Sequence, residues 1–480
     1  MPQSYEEHIS LRVQQDKAAA EFVKIVTDLW LDKSIEVTLF RKPLLDQSIS
    51  EILNTHHYAR QIKDEPITIE ITLDLLRTIS KVDAAPARLD VGRLAAEWIK
   101  EKDQFESIDS FVHDKLDHLI DASNELTPKD VVLYGFGRIG RLLGRLLISK
   151  EGRGEQLRLR AIVTRDSFPE QLEKRASLWR QDSVHGHFPG TVEVDVENYR
   201  LIVNGRPIQI ISANNPEDID YTAYGINNAL VIDNTGAFRD EAALSRHLKA
   251  KGADKVLLTA PGKGVPNIVH GVNQRNFDPA TTDIWSAASC TTNAITPVLK
   301  VIEDNYGISK GHIETVHAYT NDQNLVDNMH KKYRRGRAAA MNMVITETGA
   351  GQAVSKALPQ LDGKLTSNAI RVPTPNGSLA ILSLAVDKKT DKDDVNLTMR
   401  KAALYSDLVE QIEYSMDDEL VSSDIVGRTA PSIFDSPATI VSNDGHSMNL
   451  YVWYDNEFGY SCQVMRLAKY IASVRRLRYY

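Results

Sequence analysis

The chain has 480 residues, 42% hydrophobic and 25% charged, with a formal net charge of −8. That length exceeds one ordinary core and predicts two or three domains, while the negative balance argues against broad nucleic-acid affinity. No apolar run approaches the ~18 residues of a membrane span, residues 1–7 lack the regions of a secretory leader, and two cysteines build no disulfide framework, so a reducing cytoplasm is the expected compartment.

Residues 1–127 hold 15 Lys and Arg against 24 Asp and Glu, a net of −9 that leaves the rest of the chain near neutral. Apolar residues recur there at helical spacing, which predicts helices at about 6–31, 44–62, 69–81, 87–102 and 105–122. The first glycine is Gly92, and His56 and His57 have no carboxylate partner in view. The region reads as an all-helical extension, a docking or oligomerisation module whose partner the residues do not name.

At Pro128 the pattern changes. A buried-strand run from Val131 to Tyr134 leads into Gly135-Phe-Gly-Arg-Ile-Gly140, after which Leu142, Leu143, Leu146 and Leu147 recur at helical spacing. Strand, glycine turn and helix together give this fingerprint its meaning: a dinucleotide's diphosphate at a helix N-terminus. Gly135 allows the tight turn, Gly137 close approach of the diphosphate and Gly140 close helix–strand packing. The next strand, 157–163, ends in Thr164-Arg165-Asp166. Asp166 on the adenine ribose would favour NAD, and Arg165 there would accommodate the 2′-phosphate of NADP. Strands at 229–233 and 255–259 end in Asn234-Thr235-Gly236 and in Thr259 before a glycine-rich turn. The pattern predicts an α/β fold: a Rossmann-type doubly wound parallel sheet with its ligand crevice at the C-terminal strand ends.

Ser286-Ala-Ala-Ser-Cys290-Thr-Thr-Asn-Ala-Ile295 follows, the end of a strand turning into a helix. A cysteine there meets unpaired N–H groups and the positive end of a helix dipole, which predicts a favoured thiolate. A small buried cysteine packing a corner is the plain alternative. His317 lies 27 residues on, within reach after one helix and one returning strand, and a cysteine–histidine pair is a nucleophile with its base. A satisfied structural histidine is the alternative at that position. The basic run of Lys331, Lys332, Arg334, Arg335 and Arg337 reads generically as a solvated face or nucleic-acid patch. Thr346-Glu-Thr-Gly349 and Arg371-Val-Pro-Thr-Pro375 supply hydroxyls, a turn and a guanidinium, the parts of an anion site. Alternating strands near 378–386 and 449–454 predict an α+β domain with a largely antiparallel sheet.

Taken in order, these segments resemble phosphorylating glyceraldehyde-3-phosphate dehydrogenases: Gly135-Phe-Gly-Arg-Ile-Gly-Arg141, Asp182-Ser-Val-His-Gly186, Thr235-Gly236, Ala288-Ser-Cys-Thr-Thr-Asn293, Thr315-Val-His-Ala318, Thr348-Gly349, Arg371-Val-Pro-Thr374 and Trp453-Tyr-Asp-Asn-Glu-Phe-Gly-Tyr460. The likeness spans about residues 128–480 and leaves 1–127 outside. Beside the helical extension read over 1–127, it implies a dinucleotide-binding domain over 128–289 with a C-terminal helix over 456–480, and a catalytic domain over 290–455. It implies Cys290 as nucleophile and His317 as base, working through a thiohemiacetal and a thioester. The substrate's phosphate falls on Thr320, Asp322 and Arg371, and the attacking phosphate on Ser289, Thr291, Thr348 and Gly349. Cofactor contacts fall on Gly135, Phe136, Gly137, Arg138, Ile139, Gly140, Arg165, Asp166, Thr235, Gly236, Thr259, Asn456 and Tyr460. No metal is called for.

The implied reaction is reversible oxidation of D-glyceraldehyde 3-phosphate with NAD(P) and inorganic phosphate, in glycolysis or gluconeogenesis, by a cytoplasmic homotetramer. By the same resemblance the basic run belongs to a loop near cofactor and subunit contacts, with no specific nucleic acid and no membrane as partner. Four positions depart from the family pattern: Tyr134 stands for an asparagine, Arg165 for an aspartate, and Asn328-Met329 for Leu-Pro. Arg165 and Asn328-Met329 lean the cofactor reading towards NADP. Erythrose-4-phosphate dehydrogenase is the nearest alternative activity, and a regulatory or scaffolding protein on a dehydrogenase fold is the alternative of another class.

Overall fold

The computed structural model describes residues 4–63, 65–120, 122, 126–165 and 169–479. It divides into two compact units. One gathers Met1–Thr127 with Gly152–Glu155 and Arg475–Tyr480, and the other holds Pro128–Glu151 and Gln156–Val474. No helix among the described residues is long and apolar enough to cross a membrane.

The first unit is mainly helical. Helix Tyr5–Lys33 starts at a capping box in which Ser4 and Glu7 bond reciprocally, and it stops at Ser34 in the left-handed region (φ 55°). Its Phe22, Val26, Leu29 and Trp30 are buried, and it packs on helices Ile49–Lys63 and Ile69–Lys81. Helices Val91–Glu101 and Ile108–Leu116 complete the set.

The expectation of an all-helical region needs correction. Strands Lys42–Pro43, Glu36–Leu39, Ala87–Asp90 and Leu477–Tyr479 form a four-stranded sheet in that order. The helix read from residue 87 therefore begins at Val91. Asp90, fully buried, fixes that boundary. Its carboxylate caps the helix through the Arg93 N–H (3.0 Å) and accepts from the N–H groups of Phe40 and Arg41 (2.9 Å each). Those bonds hold Phe40 and Arg41 at positive φ in the turn between the first two strands.

The second unit carries two sheets. In the first, strands Ile284–Ser286, Ala253–Leu258, Ala229–Asp233, Lys129–Tyr134, Leu157–Thr164 and Arg206–Ser212 lie parallel in that order. Arg200–Val203 and Val192–Asp195 extend it antiparallel. Strand order reverses between Lys129–Tyr134 and Ala229–Asp233, the place where doubly wound sheets open a ligand crevice. Each central strand is a β-branched run buried on both faces, as parallel sheets require.

The second sheet runs Val344–Thr346, Leu365–Val372, Ile308–Ala318, Ser378–Val386, Ser447–Tyr454, Ser432–Asp435, Ile412–Ser415. It is mixed, with two parallel pairings among antiparallel ones. Helix Cys290–Tyr306 packs on it with Ile295, Val298, Leu299 and Ile302 buried. Helix Phe458–Ile471 returns to pack on Arg138–Ser149 in the first core. The helix read over 456–480 ends there, and the residues after Val474 leave this unit to supply the fourth strand of the other.

Candidate active site

Cys290 is the first residue of helix Cys290–Tyr306. The turn before it is strained: Ala288 sits at φ 55°, and the Tyr460 hydroxyl donates to its carbonyl at 2.9 Å. Ser289 caps the helix by accepting from the Thr292 N–H at 3.0 Å. Asn293 ties back to the Ala287 carbonyl at 2.7 Å. These bonds fix the sulfur at the mouth of the helix.

Strand Ile308–Ala318 brings His317 to it, with Nε2 3.6 Å from Cys290 Sγ. Parallel pairing places His317 in register with Arg371, so both side chains share one face. His317 Nδ1 donates to the Ala318 carbonyl at 2.7 Å, and Nε2 then presents its lone pair to the thiol. Arg371 Nη1 donates to the same carbonyl at 2.9 Å.

The charge state differs from the sequence expectation. Burial pushes the Cys290 thiol up, opposed by Arg371 and the helix-start bonds, and it lowers His317 to about 3 with Arg371 adding to the effect. The helix start alone was expected to favour the thiolate; burial outweighs it because a dipole offsets only part of a desolvation cost. The resting pair is thiol and neutral imidazole, and the imidazole is the acceptor for the thiol proton when attack begins.

Of the predicted anion residues, Arg371 and Asp322 interact electrostatically with each other and Arg371 with the Cys290–His317 pair. Arg371 Nε is buried with no hydrogen-bond partner among the described residues, an orphan donor that suits a phosphate oxygen. Asp322 is ion-paired with Arg335; burial would raise its carboxyl, but that pairing holds it below the usual range. Thr320 sits two residues before Asp322, with its carbonyl bonded to the Gln323 N–H at 2.9 Å. Gly349 starts helix Ala350–Ala357 without a side-chain cap, and the space where a Cβ would stand is open. The Thr348 carbonyl accepts from Ser367 at 3.0 Å. Thr291 bonds the Tyr454 hydroxyl at 3.1 Å, and the Ser289 hydroxyl also lies 2.7 Å from that of Thr292.

Tyr454 was missed by the sequence reading. Its ring meets His317 edge-on at 5.8 Å, and its phenol is fully desolvated beside Cys290. The signal was present, since it alternates inward on strand Ser447–Tyr454 just before Asn456. Ser378 was missed as well: it donates to the Asn456 side-chain Oδ1 at 2.9 Å and accepts from the Ala318 N–H at 3.1 Å. That leaves the Asn456 amide NH2 as the group with donors to offer.

The dinucleotide cradle has the expected form. Gly135 lies at φ 103°; a Cβ on Gly140 would stand 2.5 Å from the Gly135 carbonyl, and none would meet anything at Gly137. Helix Arg138–Ser149 begins with no side-chain cap, so its first N–H groups face the open space at Gly137. A diphosphate fits that arrangement. Phe136 and Ile139 anchor the loop on the core. The Arg138 side chain turns away to Asp182 (3.0 Å) and Glu457, so its part in the cradle falls to its backbone. Thr235 and Thr259 are tied to Asp233, beside Gly236 at φ 67°. Arg165 is exposed, its carbonyl accepting from Ser212 at 3.0 Å. Asp166 lies outside the described residues.

A thiol beside a neutral imidazole, a guanidinium with one unpaired buried N–H and a dinucleotide cradle can together oxidise an anionic aldehyde through a covalent intermediate. Comparison with known proteins agrees. Family models of the glyceraldehyde 3-phosphate dehydrogenase NAD binding domain and C-terminal domain match residues 129–241 and 289–456. A glyceraldehyde-3-phosphate dehydrogenase-like protein of Pseudomonas aeruginosa is 50% identical over 457 residues, 94% of this chain and 98% of its own. Glyceraldehyde-3-phosphate dehydrogenases of Priestia megaterium and Streptomyces coelicolor are 41% identical over 71% and 72% of this chain, and 97% and 98% of theirs. The Pseudomonas match is longer than the second unit, so it takes in most of the N-terminal region as well. This chain belongs to the glyceraldehyde-3-phosphate dehydrogenase family and is an NAD(P)-dependent dehydrogenase.

Proposed function

We propose that the chain is a phosphorylating glyceraldehyde-3-phosphate dehydrogenase, interconverting D-glyceraldehyde 3-phosphate and 1,3-bisphosphoglycerate. The observation that carries this reading is the 3.6 Å approach of Cys290 Sγ to His317 Nε2 beside Arg371, whose Nε has no hydrogen-bond partner among the described residues. His317 takes the thiol proton as the sulfur adds to the aldehyde carbon. His317 returns that proton to the oxyanion formed on addition, giving the thiohemiacetal hydroxyl, and then takes it back as the carbon gives up a hydride. The nicotinamide ring supplies the two-electron acceptor. The thioester left on Cys290 is attacked by inorganic phosphate, its C–S bond breaks, and the acyl phosphate leaves.

Thr320, Asp322 and Arg371 take the substrate's own phosphate, and Ser289, Thr291, Thr348 and Gly349 take the attacking one. The uncapped helix start at Gly349 supports the second assignment. Asn456 orients the nicotinamide amide, and Tyr460 supports it by fixing Ala288. Arg165 suits a 2′-phosphate, so NADP is accepted. The catalytic unit assembles as a homotetramer in the cytoplasm. Leu325, Val326, Met329, Tyr333, Met341 and Met343, each more than two-thirds exposed on one loop segment, favour burial against a second copy.

One set of assays tests the reading: turnover of glyceraldehyde 3-phosphate and of erythrose 4-phosphate, with NAD and NADP, with and without phosphate. Phosphate-dependent turnover of the three-carbon aldehyde is expected. A rate unchanged by omitting phosphate, or faster turnover of the four-carbon aldehyde, would overturn it.

A further inference from the structure

The dinucleotide cradle and the residue assigned to the nicotinamide amide lie on different elements, and one side-chain link joins them. Arg138 opens helix Arg138–Ser149, whose uncapped start faces the diphosphate space. Glu457 follows Asn456 and directly precedes helix Phe458–Ile471, which packs on the first helix. The Arg138 guanidinium donates from Nε and Nη2 to the two Glu457 carboxylate oxygens, at 2.5 Å each. A guanidinium fork on a carboxylate fixes plane as well as distance. Two buried neighbours lock the pair. Asp182 accepts from Arg138 Nη1 at 3.0 Å and Nη2 at 3.2 Å, and from the N–H groups of Val184 and His185 at 3.0 and 2.9 Å. His185 Nε2 donates to Glu457 Oε2 at 3.0 Å. Burial would raise the Glu457 carboxyl, but His185 and Arg138 hold it below the usual carboxylate range, so the link is ionic at neutral pH.

We propose that Arg138 is a positioning residue for the cofactor: through Glu457 it sets the spacing between the diphosphate cradle and Asn456, and so places the nicotinamide end. This rests on the assignment of Asn456 to the nicotinamide amide made above. A dinucleotide anchored at its diphosphate presents its nicotinamide to Asn456 at an effective concentration set by how firmly the two protein parts are spaced. A misplacement of about 1 Å can cost about a hundredfold in rate. Asn456 itself is held on its own side, with Oδ1 taken by Ser378 and the following N–H groups of Glu457 and Phe458 bonded to Asp455 at 2.9 and 2.8 Å. The Arg138–Glu457 fork ties that assembly to the cradle. The adenosine diphosphate half of the cofactor meets the glycine turn and helix start, which present backbone groups, so the link acts on the nicotinamide half.

Calorimetric binding of NAD and of ADP-ribose, which lacks the nicotinamide, to the full-length chain tests this. Arg138→Met is expected to raise the Kd of NAD about tenfold and to leave that of ADP-ribose within about twofold. Arg138→Lys keeps the charge without the fork and is expected to fall between Arg138→Met and the wild type. Glu457→Gln is expected to give the same selective loss, and it carries the test if Arg138→Met does not fold. Asn456→Ala should also weaken NAD alone, and adding Arg138→Met to it should cost no further NAD affinity, since both act on one contact. Equal weakening of both ligands by Arg138→Met, no change in either, or additive NAD losses in the double variant overturn the proposal. The two readings fail differently. An Asn456→Ala variant that weakens both ligands alike refutes the assignment of Asn456 and this inference with it, whereas a selective Asn456→Ala beside an unselective Arg138→Met refutes the link alone.

Discussion

Cys290 and His317 are both held in their neutral forms by burial, and Arg371 acts on both without bonding the sulfur. The pair therefore works as a unit: the thiol gains reactivity only by giving its proton to His317. Replacing His317 with Asn is expected to slow iodoacetamide alkylation of Cys290 at neutral pH and to lower kcat by about 10²–10⁴. Alkylation at the wild-type rate would show that His317 is not the base. The same burial sets a pH dependence of stability. His317 titrates at about 3 in the fold, below the value near 6.5 of free imidazole. The unfolded chain binds the proton more readily, so stability is full above about pH 6.5 and falls as pH drops towards 3. Melting temperatures between pH 7 and 4 should show a shallower acid decline in His317→Asn than in the wild type.

The glycine turn shows how one element serves both folding and ligand. Gly140 and Gly137 sit three residues apart with opposite surroundings. A methyl at position 140 meets the Gly135 carbonyl, so Gly140→Ala is expected to cost roughly 1–3 kcal/mol of stability through overpacking. A methyl at 137 meets no protein atom and projects into the space assigned to the diphosphate. Gly137→Ala should melt like the wild type yet raise the cofactor KM at least tenfold. Thermal unfolding and cofactor titration of the two variants distinguish the roles, and equal melting losses would place the constraint in packing alone. Helix Cys290–Tyr306 divides its labour similarly: its first turn holds the reactive sulfur, and its later turns fill the core of the second sheet.

At the scale of the molecule, the chain's last residues belong with its first. Strand Leu477–Tyr479 pairs parallel with Ala87–Asp90, Tyr479 donates its hydroxyl to Glu97, and the Arg476 guanidinium lies 4.5 Å over the Trp30 ring. The N-terminal unit is thus not a detachable leader. Removing residues 475–480 is expected to destabilise it by roughly 2–4 kcal/mol, from a lost strand, a buried tyrosine and a cation–π contact. Limited proteolysis should then cut within residues 1–127 before the dehydrogenase unit. Unchanged protection would mean that the five helices hold the unit without its fourth strand.

The sequence by itself determined the order and type of the long elements and named most of the residues proposed for the site. Those signals are local: a 3.6-residue period, a glycine turn between strand and helix, and caps at helix starts. Cys290, His317 and the cradle glycines were legible because each sits at an element boundary that the pattern marks. Tertiary structure alone decided what depends on distant neighbours. The two- to four-residue strands of the N-terminal sheet carry no periodic signal, and one of them comes from the far end of the chain. Ser378 joined the site only through sheet register, and register also brought the inward-alternating Tyr454 against His317. The protonation of the Cys290–His317 pair turned on burial, because desolvation is summed over every surrounding group and no stretch of sequence contains that sum.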